Sequence, residues 1–230
     1  MDPITPQNAS LTWQEDGSPR STRFDDPYFS AAGGLAEARH VFLAGNNLPK
    51  RFRPGFHIAE LGFGTGLTAL AAWQAWQEAD CAGPLRFTSF EAFPLGRADM
   101  ARAAAHWPEL AELAAPFLAQ WPPKGVLTLP GLRLEVIYGD ARTTLPQWQG
   151  LADAWFLDGF SPAKNPELWS PDLLAEVGRH TAKGGSFATY TAAGHVRRAL
   201  AAAGFTVARI KGFGRKRHMS TGTLPAHITG

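Results

Sequence analysis

The chain has 230 residues, 45% of them hydrophobic and 18% charged, which suits one well-packed α/β domain and leaves little room for a second core. A formal net charge of +2 does not by itself demand a polyanionic partner, and no apolar run approaches the roughly 18 to 20 residues that a membrane span needs. The single cysteine, Cys81, excludes an internal disulfide, and the seven scattered histidines show no ligand spacing, so no metal is expected. The amino terminus reads as lacking the basic and apolar regions of a signal peptide, and with the lone cysteine this gives a cytoplasmic expectation.

Residues 1–45 read as an amino-terminal extension packed on the core, and residues 46–230 as one globular unit. Within the extension, residues 1–30 offer only short strand-like pieces, whereas Leu35–Leu43 has the apolar spacing of a helix. A strand over Phe56–Leu61, a glycine turn and a breaker-free helix over Leu67–Ala79 follow. A second strand, Leu85–Phe90, ends at Glu91, and helical segments run from Pro94 to about His106 and from Pro108 to Trp121. The latter reads as an insertion, closed by Pro122 and Pro123. Strands are expected over Leu132–Tyr138, Ala152–Leu157, Gly185–Thr191 and Phe205–Ile210, with helices over Pro171–Arg179 and His195–Ala203. Alternation of this kind predicts a Rossmann-like, doubly wound and mostly parallel sheet.

Such sheets bind ligands at the carboxyl ends of their strands, and there this sequence places acids: Glu60, Glu91, Asp140 and Asp158. Glu60 leads into Gly62, Gly64 and Gly66, whose alternation frees the backbone for unusual angles and lets a ligand lie against the main chain. A dinucleotide fingerprint needs Gly or Ala where this chain has Leu67, so the nicotinamide pattern is broken. An acid entering G-x-G-x-G resembles instead the first motif of the class I S-adenosylmethionine-dependent methyltransferases. That resemblance implies that Glu60 helps hold the ammonium of the methionine moiety, that Glu91 accepts the ribose hydroxyls, and that Asp140, with Ala141, lies at the adenine.

The most informative stretch is residues 157–169, LDGFSPAKNPELW: an apolar strand stops at a carboxylate followed by a turn. Together with FDDPYFS (24–30), ELGFGTG (60–66), SFEAFPL (89–95) and GFGRKRHM (212–219), it resembles the methyltransferase domain of the MnmC family of tRNA 5-methylaminomethyl-2-thiouridine biosynthesis proteins and its stand-alone relatives. The likeness runs from about Ser10 to about Leu224 and departs from the usual pattern at Ala92, where Lys is common, and at His218, where Glu is common. It implies methyl transfer from S-adenosyl-L-methionine to the 5-aminomethyl amine of a wobble (2-thio)uridine, with tRNA, through its anticodon stem-loop, as the partner. The flavin-dependent oxidase step is then expected from another domain or protein.

On that reading Asp158 orients the amine and helps remove its proton while also bordering the cofactor, and Phe160 stacks on the extruded uracil. Tyr28 and Tyr190 are candidate pocket walls, and Lys164 is either a phosphate contact or a solvated loop residue. The basic segment Arg209–Arg217, including Arg215, Lys216 and Arg217, is expected to grip phosphates together with Lys50, Arg51 and Arg53. Two other readings share these features: an amino-group methyltransferase for another base or a small molecule, and a noncatalytic tRNA-binding module.

Overall fold

Along Ala154–Trp155–Phe156–Leu157 successive side chains enter opposite cores, as a strand covered on both faces requires. Ala154 and Phe156 join Ile58, Phe87 and Leu134 in one core; Trp155 and Leu157 join Ala59, Leu61 and Phe187 in the other. These relations come from a computed structural model, which describes residues 9–30, 33–123 and 125–226; residues 1–8 and 31–32 of the expected extension lie outside the described residues.

The chain opens with a small antiparallel sheet of β1 (Leu11–Trp13), β2 (Pro19–Ser21) and β3 (Asp26–Pro27). Helix α1 (Gly34–Ala38) continues as a π-helical turn over Arg39–Leu43 and a 3-10 turn over Ala44–Asn46. Leu35, Ala38, Val41 and Phe42 are buried in the first core, so this part of the expected extension is built into the main packing. Then come β4 (His57–Leu61), α2 (Leu67–Glu78), β5 (Leu85–Glu91), α3 (Arg97–Ala104) and α4 (Ala111–Ala119). They are followed by β6 (Val126–Leu129), β7 (Leu132–Tyr138), α5 (Ala141–Thr144), β8 (Ala152–Leu157) and α6 (Pro171–Arg179). The chain closes with β9 (Thr181–Thr189), α7 (Gly194–Ala202), β10 (Thr206–Lys211) and β11 (His218–Thr223).

Among the described residues, eight strands form the main sheet in the order β10-β11-β9-β8-β4-β5-β7-β6, with β6 and β11 running against the rest. Sequence periodicity did not announce β6 or β11. The first is a short hairpin arm folded back on β7 through Pro130-Gly131, and the second begins where the basic segment Arg209–Arg217 ends. Helix α2 is buried from Leu67 through Trp73 and again at Trp76, which explains its nearly uninterrupted Ala, Leu and Trp composition. Its two indoles donate to Pro130 O and Gly83 O, both at 3.0 Å.

From β4 the chain turns outward to β5 on one side, while β8 pairs with β4 on the other. The switch point of the sheet, where an α/β fold leaves a crevice, thus falls between the carboxyl ends of β4 and β8. Lys50, Arg51 and Arg53 lie at the other edge, before β4 begins. Arg51 is spent on the fold: its guanidinium donates to Asn46 O, Asp153 O, Gly184 O and the Ser186 hydroxyl. Arg53 pairs with Asp153 at 2.6 Å. The expectation that these residues act with the carboxy-terminal basic segment is therefore corrected, because the sheet separates the two groups.

Candidate active site

At the switch point four strand ends, those of β4, β5, β7 and β8, are stitched together by the backbone. Gly62 N donates to Phe90 O at 3.0 Å, Asp158 N to Leu61 O at 3.1 Å, and Gly139 N to Glu91 O at 2.9 Å. Gly62, with φ 89°, has no room for a side chain, since a Cβ there would lie 2.9 Å from the Asp158 carbonyl oxygen. Over these ends opens a cavity of about 920 Å3, within the range of roughly 300–1,000 Å3 usual for small-molecule sites. Of the residues expected from sequence, it brings together Gly62, Gly64, Glu91, Asp140, Ala141 and Asp158 with Tyr28, Phe160, Lys164, Tyr190 and Lys216. Glu60, Gly66, Arg215 and Arg217 are not among the residues that line it.

Glu60 is fully buried beneath the glycine turn, where its two carboxyl oxygens accept from the Thr68 hydroxyl and, at 2.7 Å, the Ser89 hydroxyl. Burial drives its pKa well above the carboxylate range, with the Asp158 and Glu91 charges adding to the rise and the two hydroxyl bonds opposing it. The arrangement suits a brace under the turn better than the direct ammonium contact inferred from sequence. Glu91 turns back on the same loop: Oε2 accepts from Phe63 N and Gly64 N at 2.9 and 3.0 Å, and Oε1 from Phe93 N at 2.7 Å. Asp140 caps α5 through Arg142 N and forms an ion pair with the Arg142 side chain at 2.5 Å, which lowers its pKa. Ala141 is buried beside it.

The facing wall is made by residues 23–28, folded across the loop after β8. Phe24 stacks on Phe160 with centroids 4.9 Å apart, and Tyr28 meets the same ring edge-on at 5.1 Å. Asp26 Oδ2 accepts from Ser161 N at 2.8 Å, and Asp25 Oδ2 pairs with Lys164 Nζ at 3.0 Å. The Arg20 and Lys164 hydrogen bonds hold the Asp25 carboxyl down at about 2. Lys164, left open between phosphate contact and solvated residue, is thus the clasp between this wall and the loop. On the inner side Tyr190 OH donates to Gly159 O at 2.7 Å and the Trp169 indole to Phe160 O at 2.8 Å, fixing the turn that carries Asp158.

Asp158 sits at the bottom of this enclosure. Burial raises its pKa well above the carboxylate range; Lys216 opposes the rise and Glu37 adds to it. Lys216, expected to grip phosphate, has a half-exposed side chain that is held at the cavity wall. Its ammonium pairs with Glu37 Oε1 at 2.7 Å and lies 4.3 Å from the centroid of the Tyr190 ring, inside the cavity wall. Sequence reasoning missed Glu37 because its helix showed only core periodicity, and missed Arg142 because nothing marks an ion pair two residues from a cap. Asp25 and Asp26 stood in a quoted motif, but the partners that tie them to the loop after β8, Lys164 and Ser161, are more than a hundred residues away.

If Glu91 holds ribose hydroxyls, Glu91→Ala is expected to weaken S-adenosyl-L-methionine binding by about 1–3 kcal/mol, the usual cost of leaving such hydrogen bonds unmade. Calorimetry on the folded variant checks this, and undiminished affinity would leave Glu91 as a loop brace only.

The chain resembles solved structures over nearly its whole length. MNMC2 from Aquifex aeolicus superposes with a TM-score of 0.77 at 26% identity, covering 99% of this chain and 74% of that one. Spermidine synthase from Thermotoga maritima (TM-score 0.56, 10% identity, 95% and 72% covered) and TrmN from Thermus thermophilus (0.51, 19%, 86% and 53%) share the fold. Residues 108–225 match a family of S-adenosyl-L-methionine-dependent methyltransferases. The glycine turn lining the cavity at Gly62 and Gly64 and the acids Glu91, Asp140 and Asp158 at three strand ends fit that cofactor, and the chain belongs to this S-adenosyl-L-methionine-dependent methyltransferase family.

Proposed function

We propose that this methyltransferase acts on tRNA, moving the methyl group to the 5-aminomethyl amine of wobble (2-thio)uridine. The observation that carries the reading is the enclosure around Asp158: an acid at the base of a cavity, with Phe24, Tyr28 and Phe160 grouped on one wall. The likeness to MNMC2 supports it. An aromatic group of this kind offers a stacking face to an unstacked base, while an acid below it suits an amine attached one carbon from the ring. Gly62, Gly64, Glu91, Asp140 and Ala141 would hold the cofactor, which supplies an electrophilic methyl on a sulfonium. Asp158 orients the amine, whose lone pair must lie in line with that methyl. A primary aminomethyl group has a lysine-like pKa near ~10, so proton removal is part of the work. The cytoplasm, where tRNA is modified, is the compartment this reading assigns.

The experiment incubates the protein with S-adenosyl-L-methionine and tRNA bearing or lacking the aminomethyl group, and identifies nucleosides by mass. Methylation of the aminomethylated tRNA alone is expected; methylation of unmodified uridine, or of neither with cofactor bound, would overturn the substrate.

For tRNA contact, the exposed turn between β10 and β11 is the surface at the cavity end of the sheet, and Arg215 and Arg217 project from it. Replacing both by Ala is expected to reduce the slope of log affinity against log salt by roughly 1.5, as the loss of two phosphate contacts predicts. The decrease should be the same for all competent tRNAs, because phosphate contacts carry little sequence information. Binding titrations across a salt series measure it, and an unchanged slope would place the tRNA elsewhere.

A further inference from the structure

Asp158 alone is a poor device for methylating an amine. A carboxylate beside a primary amine stabilises the ammonium form, which has no lone pair to give. The structure supplies an opposing charge. Lys216 Nζ is held 2.7 Å from Glu37 Oε1 and 4.3 Å from the Tyr190 ring centroid, in the wall of the cavity that has Asp158 at its base. Its placement is built into the turn after β10. Lys216 N donates to Phe213 O at 3.0 Å, Gly212 N to Arg217 O at 3.2 Å, and a Cβ at Gly212 would come within 2.3 Å of Lys216 O. Only a glycine lets the turn close that tightly.

We propose that Lys216, fixed by Glu37 and Tyr190, is the electrostatic positioning residue that keeps the reacting pair as neutral amine and ionised Asp158. This rests on the aminomethyl acceptor proposed above. A fixed cation repels a second cation, so the acceptor ammonium releases its proton to water more readily, while the Asp158 carboxylate keeps its charge. The nitrogen lone pair then forms the new N–C bond as the S–C bond of the donor breaks, leaving a neutral thioether. The secondary ammonium so formed loses its proton after release. The charged and titratable groups facing Lys216 are Glu37 on α1, Asp158 after β8 and Tyr190 after β9, with Asp26 on β3 acting on Tyr190. Arg215, Arg217 and His218 flank it on its own segment and are exposed.

The test is the pH profile of kcat/KM on aminomethylated tRNA. Removing the cation raises both the amine and the Asp158 pKa, so both ionisations move the same way. In Lys216→Met the acidic limb is expected to shift upward by about one pH unit, a tenfold loss of rate at fixed pH on that limb. Lys216→Arg, which keeps the charge, should restore the wild-type profile. Melting temperature and cofactor binding establish that each variant is folded, and Lys216→Gln serves where the methionine does not fold. A profile that coincides with wild type, or moves to lower pH, overturns the inference. If the wild-type protein itself leaves aminomethylated tRNA unmethylated, it is the substrate reading that fails.

Discussion

Asp158→Ala is expected to lower kcat by about 10^2- to 10^4-fold, the range for losing a positioned acid–base group, while tRNA affinity falls far less. The contact serves alignment at the reacting nitrogen, and a large nucleic acid held elsewhere by its backbone does not depend on it. The substitution should not cost the fold. Among the described residues no side chain or backbone group donates to the Asp158 carboxylate, so truncation leaves no protein partner stranded. The sign of the stability change follows from the ionisation. Burial holds the carboxyl's proton more tightly in the folded chain than in the unfolded one, so this group stabilises the fold at low pH. That contribution is lost as pH rises through the raised folded pKa. At neutral pH, removal of the carboxyl should therefore leave the melting temperature unchanged or higher. Single-turnover kinetics, tRNA titration and thermal melts distinguish the cases; full activity, or equal losses in turnover and affinity, would reject the role.

What the sequence made legible follows from what a strand end must do. The glycine turn after Glu60 and the apolar run into Asp158 are local signals, and the structure brings them together because β4 and β8 are neighbours in the sheet. Two strands escaped. The small and polar residues of β11, Ser220, Thr221, Gly222 and Thr223, hid it from a search for apolar alternation, and a Pro-Gly turn cut β6 to a length that periodicity cannot resolve. Charge counting also misled: a run of lysines and arginines shows net sign but not direction, and the fold sends Arg51 into a carbonyl cluster and the half-exposed Lys216 to the cavity wall. Long-range partners such as Asp26 with Ser161 and Glu37 with Lys216 depend on tertiary approach, which no spacing encodes.

The glycine turn permits a sharper experiment than loss of binding alone, because two of its glycines are needed for different reasons. Gly62→Val should fail at the level of the fold: a Cβ at 2.9 Å from the Asp158 backbone oxygen meets main chain that cannot swing aside, at a φ of 89° that β-branched residues avoid. Strained backbone of this kind costs about 1–3 kcal/mol before the clash is added, so a large drop in melting temperature is expected, with loss of cofactor binding following from it. Gly64 is different. Its φ of 53° lies in the left-handed region, yet a Cβ there would find only the Tyr28 ring, at 3.4 Å. Gly64→Val should thus cost less stability while its side chain, facing Tyr28 in the lining of the cavity, takes up space the cofactor would need. The expected pair of results is a folded Gly64→Val protein with sharply reduced affinity for S-adenosyl-L-methionine and a Gly62→Val protein already destabilised without it. Calorimetry and thermal melts on both variants provide the check. Undiminished cofactor affinity in folded Gly64→Val would move the cofactor away from this turn.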